Sequence, residues 1–152
     1  AGVEADAVVT VWDIVLRADA ANLGIGLDSF HIFAAKDALE DLDLVDPLRI
    51  FLVQLSDFMW QETPTFEERI TTARTFRVFP GEGVHSEELA DLVLRLDKIG
   101  YRGDYSYEVF NDDYVQMQLT RVTERARRSV DWITSHVSRR SLPVRRSMAP
   151  GA

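Results

Sequence analysis

The 152-residue chain contains no cysteine. It therefore cannot form a disulfide framework, a thiolate metal site or a cysteine nucleophile. No apolar run approaches the ~20 residues that a membrane-spanning helix needs, and the first residues lack the basic and apolar regions of a secretion signal. These absences predict a protein of a reducing compartment, and we expect a cytoplasmic protein without a membrane partner.

Basic charge is scarce outside the C-terminus. The chain has 17 Lys and Arg against 25 Asp and Glu, and a net charge of −8. This balance argues against a nucleic-acid partner, because such binding depends on neutralising phosphates with Lys and Arg. Residues 138–152 are the exception, with four arginines and no acid. We expect them to form a basic, flexible tail, with a docking strip for an acidic surface as the alternative.

Helical and strand-like patterns alternate along residues 1–137. Apolar spacing predicts helices at 8–19, 36–44, 86–99 and 113–137, and apolar runs predict strands at 22–28, 48–55, 75–79 and 105–110. Residues 57–73 have no clear period and are predicted to form a long loop with a helical turn. Ser86 is the expected N-cap of the helix 86–99, and Gly100 is expected to end it. The alternation indicates one α/β domain with a parallel sheet.

One polar side chain interrupts each predicted strand near its end. These residues are Asp28, Gln54, Arg77 and Glu108, spaced by 26, 23 and 31 residues. A (β/α)8 barrel of roughly 250 residues uses about 31 residues per unit, and its active sites collect residues from the carboxyl ends of successive strands. Because an unpaired buried polar group costs several kcal/mol, we expect these side chains to meet one another, a metal ion or a substrate.

A purely structural role is the alternative for each of these residues. Asp28 is suited to cap the segment that follows it. Gln54 is suited to satisfy a loop backbone. Arg77 and Glu108 are suited to pair with each other as a structural ion pair. The regular recurrence of one polar residue per strand favours the functional interpretation.

The residue types favour a metal bound through oxygen. Asp28, Glu108 and the carbonyl of Gln54 offer oxygen donors, which suit Mg²⁺ or Mn²⁺ and not a thiophilic metal. The expected cofactor is therefore a divalent cation.

One of the three histidines is a candidate for proton transfer. His31 lies three residues after Asp28 and is a candidate acid or base, because imidazole exchanges protons near neutral pH. A hydrogen bond to a loop is its alternative role. His85 and His136 are expected to be ordinary surface residues.

Four ordered strings carry a family resemblance, and they are LDSFH (27–31), VQLSD (53–57), RVFPGEG (77–83) and GYRGDYSYEVFND (100–112). They resemble the xylose-isomerase-like TIM-barrel superfamily of sugar isomerases and epimerases, and within it the bacterial metal-dependent 3-dehydroshikimate dehydratases. The resemblance covers most of residues 10–132. It implies that residues 1–137 form the C-terminal half of a (β/α)8 barrel, with strands five to eight.

The resemblance also implies a role for each candidate residue. It makes Asp28, Gln54 and Glu108 the metal ligands. It makes His31 and Glu108 catalytic, and it makes Arg77 and His31 substrate-binding. The implied reaction removes a proton next to a carbonyl that the metal polarises, and water then leaves.

The sequence departs from the superfamily in one respect. A further glutamate, on the fourth strand of the barrel, has no counterpart here, because the resemblance begins just before strand five. Half a barrel also leaves unpaired strand edges. We therefore expect the chain to be part of a longer protein, or to need the missing N-terminal half-barrel or another chain to complete the barrel.

Three functions stay open for the sequence. The first is a metal-dependent lyase that dehydrates a cyclic hydroxy-keto acid, of the type that converts 3-dehydroshikimate to protocatechuate. The second is a sugar or inosose isomerase, epimerase or dehydratase of the same superfamily, with a small polyol substrate. The third is a non-catalytic half-barrel module.

Overall fold

Three parallel strands form the sheet of the computed structural model, which describes residues 7–141. The strand order is β1 (Ile25–Asp28), β2 (Ile50–Leu55) and β3 (Tyr105–Tyr107). Two 3-10 helices, Leu39–Leu44 and Pro47–Arg49, precede β2. The α-helices within the described residues are α1 (Ala7–Ala18), α2 (Ser29–Ala35), α3 (Phe66–Thr75), α4 (Ser86–Ile99), α5 (Asp112–Val115) and α6 (Leu119–Ser141). The predicted α/β class with a parallel sheet is confirmed.

The strand register brings polar side chains to one face of the sheet. Asp28 pairs with Gln54, and Gln54 pairs with Ser106. Successive residues of a strand face opposite sides, so Val53 and Leu55 point to the other face, where both are buried. The helices cover that apolar face, and the polar residues share the face that the described helices leave open.

The core lies between the apolar face of the sheet and the helices. Phe30 of α2 is fully buried, and so are Leu89, Leu92 and Leu96 of α4. The spacing of these leucines is that of a helix with one buried face. Gly100 ends α4 in the left-handed conformation, with φ of 99°. The predicted helix 86–99 and its glycine stop are therefore confirmed.

The loop predicted at 57–73 holds more than the one helical turn expected, because the ten-residue helix α3 begins in its second half. Thr65 and Glu68 form a capping box, in which each side chain accepts a hydrogen bond from the other residue's backbone N–H. This reciprocal cap starts a helix whose sequence has little apolar periodicity. The helix then continues to Thr75.

The strand predicted at 75–79 is also wrong. This segment makes two isolated antiparallel bridges, Asp57 with Val78 and Phe76 with Asn111. Because β3 pairs directly with β2, the sheet has no position for a strand between them. Arg77 therefore reaches the strand ends from a bridging segment and not from a strand.

Two helix predictions and the predicted tail need smaller corrections. The predicted helix 36–44 is a 3-10 helix, Leu39–Leu44, which follows the unpredicted helix α2. The predicted helix 113–137 is divided into α5 and α6, and α6 continues to Ser141. Residues 138–141 of the predicted flexible tail thus belong to a helix, and residues 142–152 lie outside the described residues.

Ser86 is the first residue of α4 and not its N-cap, because His85 occupies the cap position without a side-chain hydrogen bond. The Ser86 hydroxyl instead donates to the carboxylate of Asp57 at 2.8 Å.

In the part of the chain from 7 to 141, no helix has both the length and the apolar composition needed to cross a membrane.

Two glycines give a matched test of how tightly the chain packs around Asp57. A Cβ at Gly83 would press into the Asp57 carboxylate and the Phe58 carbonyl oxygen, whereas a Cβ at Gly26 would meet nothing within 4 Å. We expect Gly83→Ala to lower the free energy of unfolding by about 2 kcal/mol, the scale of overpacking, and Gly26→Ala to change it by less than about 0.5 kcal/mol. Chemical denaturation measures both values, and equal effects would contradict the packing described.

Candidate functional site

Three candidate ligand residues stand at the carboxyl ends of the strands. Asp28 is the last residue of β1, Gln54 is the penultimate residue of β2, and Glu108 directly follows β3. The amide nitrogen Nε2 of Gln54 donates to Oε2 of Glu108 at 2.8 Å. Asp28 and Gln54 are neighbours in the sheet register. The structure therefore brings these three residues to one edge of the sheet.

Arg77 connects the ends of all three strands. Its Nη1 donates to Oδ2 of Asp28 at 2.8 Å and to the backbone carbonyl of Glu108 at 3.3 Å, and it lies 3.4 Å from the hydroxyl of Ser56. Its Nε donates to the carbonyl of Ala73 at 2.8 Å. The side chain is only 4% exposed, so these contacts hold a buried guanidinium in one place.

Phe30 forms the apolar wall of this arginine site. The Arg77 guanidinium carbon lies 4.6 Å from the centre of the Phe30 ring, within the range of a cation–π interaction. Phe30 is fully buried and follows Asp28 by two residues, so the same turn supplies both the carboxylate and the aromatic face.

His31 lies at the edge of the site. Its Nε2 is 3.7 Å from Oδ2 of Asp28, and its side chain is 60% exposed. Its ring contacts the ring of Phe30 edge to face, at 5.2 Å between centres. An exposed imidazole beside a carboxylate is placed to exchange protons with a molecule that approaches the strand ends.

The structural alternatives from the sequence have mixed outcomes. Asp28 does cap the following helix, because its Oδ1 accepts from the Phe30 N–H at 2.9 Å. Gln54 bonds Glu108. Arg77 forms its ion pair with Asp28, and its bond to Glu108 is to the backbone and not to the carboxylate.

The donor types fit a divalent cation. Two carboxylates and one amide oxygen are the kind of oxygen donors that such ions accept. Among residues 7–141, no group of three or more His, Cys, Asp or Glu side chains is placed to hold a metal. A site here therefore needs the neutral amide of Gln54 as a ligand beside Asp28 and Glu108, and the predicted Mg²⁺ or Mn²⁺ stays a prediction.

The sequence does not single out Asp57, a fully buried carboxylate. Its Oδ1 accepts from the N–H groups of Phe58 at 2.7 Å and His85 at 3.0 Å, and its Oδ2 accepts from the Ser86 hydroxyl. Its backbone exchanges two hydrogen bonds with Val78. Asp57 thus fixes the segment that follows Arg77. An acid two residues after the end of a buried strand was the available signal in the sequence.

His85 is not the surface residue that the sequence predicts, because it is only 5% exposed. Its ring stacks on Phe33 with 10° between the planes and lies 4.1 Å from the ring centre of Phe58. Its Nε2 is 3.1 Å from the carbonyl of Trp60. His136 is 27% exposed at the side chain and lies near Glu87.

The buried ion pair of Arg77 predicts a large stability effect. Arg77→Met leaves the Asp28 carboxylate without its cation, and we expect a loss of about 3 kcal/mol in the free energy of unfolding. Arg17→Met is the control, because Arg17 pairs with Asp13 on an exposed turn of α1, at 79% exposure, and is expected to lose less than about 1 kcal/mol. Denaturant unfolding that ranks the two variants equally would contradict the buried role of Arg77.

Asp57 predicts a pH dependence of stability. Burial raises the pKa of its carboxyl above the usual value, although Ser86, His85 and Phe58 oppose the shift with hydrogen bonds. A raised folded-state pKa gives stability that is present below the unfolded pKa of about 4 and lost as pH rises through the folded pKa. The stability of the wild type minus that of Asp57→Asn should therefore fall as pH rises from about 3 to 7.

A second variant gives the opposite sign. The hydrogen bond from Lys36 lowers the pKa of Glu62, so the stability of the wild type minus that of Glu62→Gln should rise over the same pH interval. Urea unfolding at a series of pH values measures both differences. If both stability differences changed with pH in the same direction, the burial effect at Asp57 would be ruled out.

The chain is similar to known proteins over most of its length. A family model described as xylose isomerase-like TIM barrel matches residues 7–136. The chain is 39% identical over 103 residues to the 3-dehydroshikimate dehydratase of Pseudomonas aeruginosa, covering 68% of this chain and 15% of that protein. It is 29% identical over 126 residues to the inosose isomerase of Halalkalibacterium halodurans, covering 82% of this chain and 42% of that protein.

A solved structure shows the same likeness in three dimensions. The IolI protein, solved with a bound zinc atom, superposes with a TM-score of 0.67 and 26% identity, covering 86% of this chain and 43% of that one. The chain therefore spans less than half the length of each of these three proteins. The parallel strand–helix units match one part of a barrel, and the chain belongs to the xylose isomerase-like TIM barrel family.

Proposed function

We propose that this chain supplies one side of the active site of a metal-dependent lyase, which dehydrates a cyclic hydroxy-keto acid of the 3-dehydroshikimate type. The observation that carries the proposal is the convergence of Asp28, Gln54, Arg77 and Glu108 at the ends of the strands, with two hydrogen bonds of 2.8 Å among them. The 39% identity to a 3-dehydroshikimate dehydratase favours the dehydration of this substrate class.

The proposed cofactor is a divalent cation held by Asp28, Gln54 and Glu108. The donor types of these residues support this assignment, and so does the zinc atom in the similar IolI structure. When bound, such a cation polarises the carbonyl oxygen of a substrate and stabilises the charge that develops there.

The residues of the chain supply the proton transfers and the binding of the substrate. His31 accepts the proton from the carbon next to the carbonyl, since it is exposed and lies beside Asp28. The electron pair of that C–H bond forms the new double bond, and the hydroxyl group leaves as water with the proton that the His31 imidazolium returns, while the Glu108 carboxylate orients that hydroxyl. Arg77 orients an anionic group through Nη2, because its Nε and Nη1 already donate to Ala73, Asp28 and Glu108.

The site needs further walls to enclose a substrate. The cavity lined by Asp28 and His31 measures about 130 Å³ and does not extend to Gln54, Arg77 or Glu108, whereas pockets for small ligands usually hold about 300–1,000 Å³. Leu52, two residues before Gln54 and thus on the same face of β2, is 36% exposed. We propose that the N-terminal half of the barrel, in the same or another chain, covers this face and completes the site.

Metal binding is the first test of the proposal. Millimolar Mn²⁺ should raise the melting temperature of the full chain by several degrees, because a ligand that binds only the folded state stabilises it. Asp28→Asn and Glu108→Gln should abolish the shift. Asp97→Asn, at an exposed pair with Arg102, should keep it. A folded wild type with no shift in Mn²⁺, Mg²⁺ or Zn²⁺ would contradict the metal site and favour a non-catalytic module.

Turnover tests the reaction itself. The complete protein, with both halves of the barrel, is expected to convert 3-dehydroshikimate to protocatechuate, with the product followed by its absorbance. Glu108→Gln should remove this activity, and His31→Ala should reduce it by at least about 100-fold, the scale of a lost acid or base. His136→Ala, on α6, is the matched histidine control.

The alternative function is isomerisation of an inosose, and a specific observation supports it. The identity to the inosose isomerase extends over 82% of this chain, compared with 68% for the dehydratase. The same protein assayed with an inosose decides between them. Turnover of the inosose alone would replace the dehydratase proposal, and full activity in Glu108→Gln or His31→Ala would overturn the assigned roles.

A further inference from the structure

Asn111 connects two parts of the molecule through one side chain. Its Nδ2 donates to the backbone carbonyl of Arg77 at 2.9 Å. Its Oδ1 accepts from the N–H groups of Asp113 at 2.9 Å and Tyr114 at 3.3 Å, so it is the N-cap of α5. The residue also lies three positions after Glu108. Asn111 therefore links the segment that contains Arg77 to the segment that follows Glu108.

The backbone strengthens this connection. The N–H of Arg77 donates to the carbonyl of Phe110 at 3.0 Å, and Phe76 bridges with Asn111. The Arg77 guanidinium in turn donates hydrogen bonds to the carbonyl of Glu108 and the carboxylate of Asp28. A shift of the Arg77 backbone would consequently move the guanidinium relative to both of these groups.

We propose that Asn111 is a positioning residue, which fixes the backbone of Arg77 and thereby the guanidinium between Asp28 and Glu108. The amide supports this inference, because an N-cap needs only an oxygen acceptor, and Asp or Ser caps a helix about as well as Asn. Of these three residue types, only Asn also offers an amide donor for the Arg77 carbonyl. The effect on catalysis rests on the proposed function, whereas the placement of Arg77 does not.

Two substitutions at Asn111 separate its two tasks. Asn111→Asp keeps the acceptor for α5 but replaces the donor with an oxygen that repels the Arg77 carbonyl. Asn111→Ala removes both interactions. The readout is hydrogen exchange of the Arg77 Nε–H in the full chain by NMR, assigned by the loss of its signal in Arg77→Lys. This group donates to the Ala73 carbonyl on a side chain that is 4% exposed, so it should exchange slowly in the wild type.

We expect both substitutions at Asn111 to accelerate this exchange by about tenfold or more. Asn111→Asp should lower the melting temperature by less than Asn111→Ala does, because the cap of α5 persists. Asp46→Ala is the control, since it removes an exposed cap of the 3-10 helix Pro47–Arg49 and should leave the exchange unchanged.

Wild-type exchange in Asn111→Asp would show that Asn111 is only a cap and would overturn the proposal, as would fast exchange in the wild type. If Asn111→Asp does not fold, Asn111→Ser decides the question, because its shorter side chain retains a cap and lacks the amide donor. A Mn²⁺ titration of the same proteins is read separately. Absent Mn²⁺ binding by the wild type counts against the proposed function, whereas the exchange data alone decide the role of Asn111.

Discussion

The buried guanidinium of Arg77 is the contact on which the rest of the site depends. It bonds the carboxylate that ends β1 and the carbonyl that follows β3, and it lies beside the serine that follows β2. A buried cation is stable only when such partners surround it. The three strand ends, the end of α3 and the bridging segment must therefore be in place together. The hydrogen bonds that align the candidate site are therefore the same ones that attach the sheet to α3 and to the bridging segment.

Much of the site could be predicted from the sequence because polar residues are conspicuous in apolar strands. Asp28, Gln54 and Glu108 each interrupt an apolar run near its end, and parallel strands bring such positions to one edge. The helix Ser86–Ile99 could be predicted with its bounds, since its leucine spacing and its terminal glycine are local signals. The roles of these residues in metal binding and catalysis stay predictions, because geometry alone does not establish chemistry.

The errors share a different cause, which is that contacts between distant segments leave little trace in local patterns. Val78 and Phe79 are buried like strand residues, yet whether they enter the sheet depends on β3, which takes the edge of β2. The burial of Asp57 and His85 is equally invisible to periodicity, because each is held by residues remote in the chain. Asn111 is not singled out by the sequence, because its bond to the Arg77 carbonyl joins segments that are remote in the chain.

The register of the sheet also has a consequence for how related chains can diverge. Asp28 and Gln54 face each other across β1 and β2, and one residue inserted within either strand would turn its polar side chain to the wrong face. The connection between them, from α2 through the two 3-10 helices, carries no such restriction. Insertions and deletions should therefore accumulate in that connection during evolution, while the short stretches that precede each strand end keep an invariant length.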